Sequence, residues 1–411
     1  MSLAKELSER GFINQSSSDD LGLVLDKENR VVYHGIDPTA DSAHVGNMSV
    51  WVLLKHLKNA GHKIVFLVGG GTGMVGDPKP DAERQLRTIE EVSVNVEKIK
   101  TQAENFFGEE VEFVNNYDWL GKLNLIDFLR DVGKHFTVNE LIKKDAIATR
   151  LQSETGLSYT EFAYPILQGY DYYQLFQSHN CTLQVGGSDQ WGNMLAGVEL
   201  IRRKLQKEAF VVTVPLIVDK ATGKKFGKSE GNAVWLDSGK TSPYRFYQFW
   251  LNVSDESVID HLKMFTFISL EEIEQIERDH QINPGIRVAQ KRLASAVTEL
   301  VHGRDSMLAA ERVSAILFGG ESFSSLNEKE QAMLLETAPS SEFKAGVLVD
   351  VLVEVGLATS KREARTFIES GAVEVAGIKV DDVEMVVEAG LAVSNLILLK
   401  RGKKNLHILK V

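Results

Sequence analysis

Two apolar patterns alternate between residue 31 and about residue 218. Short strand-like runs (Val31-Val32, Lys63–Val68, Thr182–Val185 and Val211–Val218) alternate with stretches in which apolar residues recur at helical spacing, such as Met48, Val50, Trp51, Leu53, Leu54 and Leu57. This alternation predicts a parallel α/β sheet. Residues 86–160 read mostly helical, with one strand-like run at Val111–Val114, and interrupt the sheet as an insertion. Its apolar helices and aromatics (Phe106, Phe107, Trp119, Phe128, Phe136) exceed what a surface loop needs and predict a subunit interface. From about 233 the pattern is helical, punctuated by Pro243, Asn283-Pro284 and Gly285. The expected organisation is an α/β domain over 1–232, a helical domain over 233–320, a linker over 321–341 and a small α+β domain over 342–411.

Three glycine-bearing turns follow strands. The run that opens with Val31-Val32 ends in Gly35 and leads through Asp37-Pro38-Thr39 to His44-Val45-Gly46-Asn47, where a helix begins. A helix N-terminus offers unsatisfied N–H groups and the positive end of the macrodipole to a phosphate. His44 and Asn47 are placed to add side-chain donors, and Gly46 lets a ligand approach. The second turn, Gly69–Asp77, contains Gly71-x-Gly73-x-x-Gly76, which matches the dinucleotide fingerprint letter for letter. Pro78 and Pro80 block the helix that the fingerprint requires just beyond, so the turn reads instead as a close backbone approach with Asp77 at its tip. The third, Gly186–Asn193, follows Gln184 and presents Asp189 and Gln190. Between the last two, Tyr164, Gln168 and Asp171 fall at i, i+4 and i+7 of a helix and share one polar face among apolar neighbours, which predicts a pocket wall. After the last strand, Lys224-Lys225-Phe226-Gly227-Lys228-Ser229 forms a glycine-flanked cationic loop suited to a triphosphate.

Composition narrows the class. The 411 residues are 43% hydrophobic and 25% charged, as in ordinary globular chains, and no apolar run reaches signal-peptide or membrane-span length. The expected location is the cytoplasm, with no membrane contact. A single cysteine, Cys181, excludes a disulfide framework and a thiolate zinc site. The net charge of −11 argues against a general polyanion binder, but it is unevenly distributed. Residues 342–411 carry ten Lys/Arg against ten Asp/Glu, and residues 1–341 carry 36 against 47. Two cationic clusters, Lys361/Arg362/Arg365 and Lys400/Arg401/Lys403/Lys404, mark the last domain as a phosphate-backbone reader.

HVGN after the first strand, GGSDQWGN in the second half and KFGKS after the last strand, in that order, resemble the signatures of the class I aminoacyl-tRNA synthetases. With YHGIDPTADSAHVGN, VGGGTGMVGDP, TEFAYPILQGYDYYQLF and TSPYRFYQFW, the chain resembles the bacterial tyrosyl-tRNA synthetases along essentially its whole length. The resemblance implies a Rossmann-like catalytic domain, a homodimer and a C-terminal domain that binds tRNA(Tyr). It further implies that L-tyrosine is activated by ATP, with Mg²⁺ on the leaving pyrophosphate and no dedicated protein metal site. By position, Tyr33 and Asp171 would bond the substrate phenol, Asp77, Tyr164 and Gln168 its ammonium, and Gln190 its carboxylate. Asp189 would meet the ribose, and Gly35, Asp37, Gly46 and Gly187 would border ATP. His44, Asn47, Thr39, Lys225, Lys228 and Ser229 would hold the phosphates. Two departures stand out: Asn47 replaces the more usual His, and Lys79-Pro80-Asp81 intervenes in the loop before Glu83-Arg84, where the family commonly carries a lysine a few residues beyond Gly76-Asp77-Pro78, so the sequence leaves open which lysine takes that part. Two other readings stay open, a tryptophanyl-tRNA synthetase and a non-catalytic nucleotide-sensing RNA-binding protein.

Overall fold

Strands buried on both faces read as near-continuous apolar runs, and such strands form the centre of the main sheet. Its members are β1 (Gln15–Ser16), β2 (Val31–Ile36), β3 (Lys63–Val68), β4 (Val111–Asn115), β5 (Cys181–Gly187) and β6 (Phe210–Val214). The computed structural model describes the whole chain except residues 79–85, 153–155, 219–227, 230, 231, 320, 322, 325, 403 and 404. The strand order is β1-β6-β5-β2-β3-β4, parallel apart from the edge strand β1. The chain leaves β2 toward β3 and β4 on one side, then returns to add β5 and β6 on the other. The connections therefore diverge between β2 and β5, and open α/β sheets bind ligands beyond the strand C-termini at such a point.

Helix Val45–Asn59 covers one face, with Trp51 fully buried against Phe66. Helix Ile89–Phe107, opened by a Thr88/Glu91 capping box, packs its C-terminal aromatics there too. Phe106 and Phe107 sit 5.4 and 5.6 Å from the Trp51 ring and are core residues, not interface residues. Because β4 pairs with β3, this helix and strand belong to the sheet layer, and the excursion from it starts at Asn116. The apolar residues that remain exposed in that excursion are others: Leu125, Ile126, Leu129, Val138, Ile142, Leu151 and Tyr159.

On the opposite face, helix Tyr159–His179 packs closely on helix Trp191–Leu205. Glycine permits the approach: a Cβ on Gly197 would stand 2.6 Å from Tyr172 Cβ, and one on Gly169 would stand 3.2 Å from the Ala196 carbonyl carbon. Tyr172 then donates its hydroxyl to the Phe210 carbonyl at 2.8 Å, tying the helix to β6.

Contacts divide the chain into two compact units, one of residues 1–241 with 252–293 and the other of residues 242–251 with 294–411. In the second, helix Pro243–Leu251 packs on helix Arg304–Ser314, which runs into a π turn at Ala315–Gly319. Residues 321–341, expected to be a linker, contribute helix Glu328–Thr337 and strand Ser340–Glu342. Asn327 and Glu330 close a capping box at that helix, and Glu330 also pairs with Arg312 at 3.1 Å. The C-terminal sheet is antiparallel, except that its edge strand Ser340–Glu342 pairs parallel to Asn405–Lys410. Helices Leu348–Glu354 and Lys361–Glu369 bury Leu348, Leu352, Ala364 and Ile368 in a core with Val373, Ile397 and Leu399. Among the described residues, no helix is long and apolar enough to cross a membrane.

Candidate active site

A cavity of about 280 Å³ opens where the sheet connections diverge, lined from the ends of β2, β5 and β6 and from the helices around them. Tyr33, Gly35, Asp37, Thr39, His44, Gly46, Asn47, Asp77, Tyr164, Gln168, Asp171, Gly187, Asp189 and Gln190 all border it, so the sequence motifs converge.

The deep end is built around Asp171, which is almost wholly buried. Its Oδ1 accepts from the Trp119 indole N–H at 2.7 Å and its Oδ2 from Asn116 Nδ2 at 2.9 Å. Burial pushes its carboxyl up to about 7 against these two donors, which favour the charged form. Tyr33 lies beside it, with its ring 5.1 Å from that of Tyr172 and its hydroxyl buried without a hydrogen-bond partner. The carboxylate is near enough to raise the Tyr33 phenol further above its ordinary value, though burial is the larger cause.

From Asp171 a chain of hydrogen bonds runs to the mouth. Asn116 also donates to Thr72 Oγ1 at 2.8 Å and accepts from the Gly71 N–H at 2.7 Å. Thr72 donates to Asp37 Oδ1 at 2.7 Å, and the Tyr164 hydroxyl donates to Asp37 Oδ2 at 2.8 Å. Across the cavity, Asp77 accepts from Gln190 Nε2 at 2.9 Å and Asn193 Nδ2 at 3.1 Å. The Gln168 and Gln184 side-chain carbonyls are buried without partners. Asn116, Trp119, Thr72 and Asn193 were not singled out as site residues from sequence. Trp119 entered only as an apolar member of the insertion, and Asn116 sits in an irregular stretch where no periodicity marks it.

At the shallow end, His44 caps helix Val45–Asn59 in extended conformation. Its backbone N–H donates to Asn47 Oδ1 at 3.1 Å, which leaves the Asn47 amino group as the donor available to a ligand. The imidazole packs so closely on Gly46 that a Cβ there would stand 2.7 Å from His44 Cε1. Gly187 is similarly constrained, by Asp189 Oδ1 at 2.5 Å from a Cβ position. His34 also lines the cavity. Its Nδ1 lies 3.1 Å from the Val185 carbonyl and must carry the proton, so its buried Nε2 is a bare acceptor. Lys225 and Lys79 lie outside the described residues, and of Lys228 and Ser229 only the backbone is described, as a strand pairing with Asn232–Ala233. No group of three or more His, Cys, Asp and Glu side chains among the described residues is arranged to hold a metal ion.

The cationic clusters of the second unit separate on inspection. Arg362 and Arg365 are exposed on helix Lys361–Glu369, while Lys361 at its start pairs with Asp350 at 2.7 Å. Lys400 is turned inward: it is buried, with Nζ donating to the Ile316 carbonyl of the π turn at 3.0 Å. Arg401 donates to the Leu357 carbonyl at 2.8 Å and lies over the Phe367 ring. Lys403 and Lys404 lie outside the described residues. The geometry thus counts against Lys400 as a phosphate contact, because its charge serves a helix end.

Comparison with known proteins agrees with this architecture. Residues 25–319 match the family model for class I tRNA synthetases (W and Y), and residues 330–409 match the model for the tyrosine–tRNA ligase SYY-like C-terminal domain. The tyrosine–tRNA ligase of Lactococcus lactis subsp. cremoris (strain MG1363) is 48% identical over 420 aligned residues, and all of both chains is covered. That of Streptococcus mutans serotype c is likewise 48% identical over the full length of both. The crystal structure of a C-terminally truncated mitochondrial tyrosyl-tRNA synthetase from Aspergillus nidulans superimposes with a TM-score of 0.69 at 31% identity, covering 77% of this chain and 94% of that one. With both family models matched in sequence order and full-length relatives at this identity, the chain belongs to the tyrosine–tRNA ligases, a family of class I aminoacyl-tRNA synthetases.

Proposed function

We propose that the chain activates L-tyrosine with ATP and transfers it to tRNA(Tyr). The observation that carries the reading is the deep end of the cavity: a buried phenol and a buried carboxylate, Tyr33 and Asp171, side by side at the bottom of a slot. An apolar ring ending in a hydroxyl gives the buried Tyr33 hydroxyl a partner and Asp171 a further donor, and a plain phenyl ring leaves the Tyr33 hydroxyl unpaired. A site built to hydrogen-bond a substrate hydroxyl rejects the analogue lacking it by about 10⁴–10⁵, a magnitude for which tyrosyl-tRNA synthetase is the standard example.

In this reading Tyr33 donates to the phenol oxygen while Asp171 accepts from it. The substrate ammonium lies toward Asp77, Tyr164 and Gln168, and Gln190 orients the carboxylate. That carboxylate attacks the α-phosphorus of ATP, forming an O–P bond as the bond to the pyrophosphate breaks. No residue is needed as a covalent nucleophile. The chain's contribution is alignment and charge stabilisation: His44, the Asn47 amino group, the helix N-terminus and Thr39 face the phosphates, and the sequence motif assigns Lys225, Lys228 and Ser229 to the same task. A terminal ribose hydroxyl of tRNA then attacks the carbonyl and AMP leaves. Mg²⁺, when bound, neutralises charge on the leaving pyrophosphate. It suits the phosphate oxygens themselves, because it keeps several waters and takes few protein ligands. Arg362 and Arg365 contact the tRNA backbone. A homodimer forms through the exposed apolar residues of the 116–159 excursion, among them Leu125, Ile126 and Val138.

Amino-acid-dependent exchange of labelled pyrophosphate into ATP tests the reading. Exchange should be supported by tyrosine at a kcat/KM about 10⁴-fold or more above that for phenylalanine. Exchange driven equally well by phenylalanine or tryptophan would overturn it.

A further inference from the structure

We propose that Trp235 is a positioning residue for adenylate formation, acting through the imidazole of His44. The inference rests on the reading of His44 as a phosphate donor.

The segment before helix Val45–Asn59 is not an independent loop end. Val45 N–H donates to the Val234 carbonyl and Leu236 N–H to the Ala43 carbonyl, both at 2.9 Å, so that His44 and Trp235 face each other across an antiparallel bridge. Residues directly opposite in such a pair send their side chains to the same side. The two rings lie 6.0 Å apart at 62°, within the range of a favourable edge-to-face contact. Gly46 bounds the imidazole elsewhere, since even a Cβ there would collide with it. The ring is therefore held between a glycine backbone and an indole.

Trp235 is itself fixed. Its backbone N–H donates to Thr241 Oγ1 at 3.0 Å, and Lys240 Nζ stands 5.2 Å from its ring centroid. Lys240 pairs at 2.6 Å with Asp41, which also takes Lys98 from helix Ile89–Phe107 at 2.9 Å. One carboxylate thus joins the segment that carries His44, the segment that carries Trp235 and a helix of the sheet layer. Trp235 does not border the cavity, so substrate contact does not explain this support. Alignment of a donor with a phosphate that changes geometry during the reaction does explain it, because small misplacements of reacting groups cost about 10²-fold in rate.

Pyrophosphate exchange and tyrosine binding by the whole protein test the proposal with W235A, W235F, H44A and the double variant W235A/H44A. W235A should lower kcat by roughly 10–100-fold with the tyrosine dissociation constant unchanged, and W235F, which keeps an aromatic edge, should restore most of the rate. Adding W235A to H44A should cost nothing further, since residues that act as a unit are non-additive. Two results overturn the proposal: losses that multiply in the double variant, and weakened tyrosine binding in W235A. If W235A does not fold, W235L keeps the bulk without the ring and carries the same expectations. Normal turnover by H44A would instead sink the phosphate role of His44, a distinguishable failure.

Discussion

A carboxylate buried as deeply as Asp171 has its charge set by what surrounds it. Burial raises its pKa to about 7, and the Trp119 and Asn116 donors prevent a larger rise. The ionised form is the stronger acceptor for the substrate's phenolic O–H. Tyrosine affinity should therefore weaken as pH falls through about 7, while the pH dependence should vanish in Asp171→Asn along with most of the preference for tyrosine over phenylalanine. KM for tyrosine, followed from about pH 6 to 8.5, checks this, and a flat profile in the parent protein would contradict it. The sign for stability is opposite. Because folding raises this pKa, the group favours the folded, ligand-free chain at pH below the ordinary carboxylate value, and that contribution is lost as pH rises through about 7.

Among elements, helices whose faces are written in a regular period were legible in the sequence, and residues in irregular stretches were not. The polar face of Tyr164, Gln168 and Asp171 follows from spacing alone, and helix Tyr159–His179 delivers all three to the cavity. Asn116 and Trp119 hold Asp171 from a segment without period, so nothing in their spacing marked them. Phe106 and Phe107 were misplaced because aromatic content cannot distinguish a core from an interface. The helix at Glu328–Thr337 was missed even though Asn327 and Glu330 spell a capping box. What spacing cannot show is how closely two helices approach. At Gly197 an added methyl group would meet Tyr172 Cβ at 2.6 Å, and Tyr172 supports the Tyr33 ring. Gly197→Ala should destabilise the protein by about 1–3 kcal/mol and raise KM for tyrosine, as thermal unfolding and exchange kinetics would show. Parent-like values in both would mean that this helix pair does not set the pocket.

On the scale of the whole molecule, the cationic residues of the second unit divide into structural and exposed groups. Lys400 spends its charge on the Ile316 carbonyl, whereas Arg362 and Arg365 are exposed. R362E/R365E should leave pyrophosphate exchange intact and sharply reduce tRNA charging, with the slope of log affinity against log salt reduced by roughly 1–2. Unchanged charging at physiological salt would remove that helix from the tRNA face. The partition of the chain also orders its own synthesis. Helix Pro243–Leu251 belongs with residues 294–411, yet the ribosome makes it before residues 252–293, which complete the other unit. Phe246, Tyr247 and Trp250 are wholly or nearly wholly buried in the finished protein, and their helix packs on Arg304–Ser314, joined to it at Gln248 and Ser314. At about 5–20 residues per second, those aromatics wait seconds for the helix that covers them. The nascent chain thus passes through an interval in which a greasy, half-assembled surface is open to chaperones.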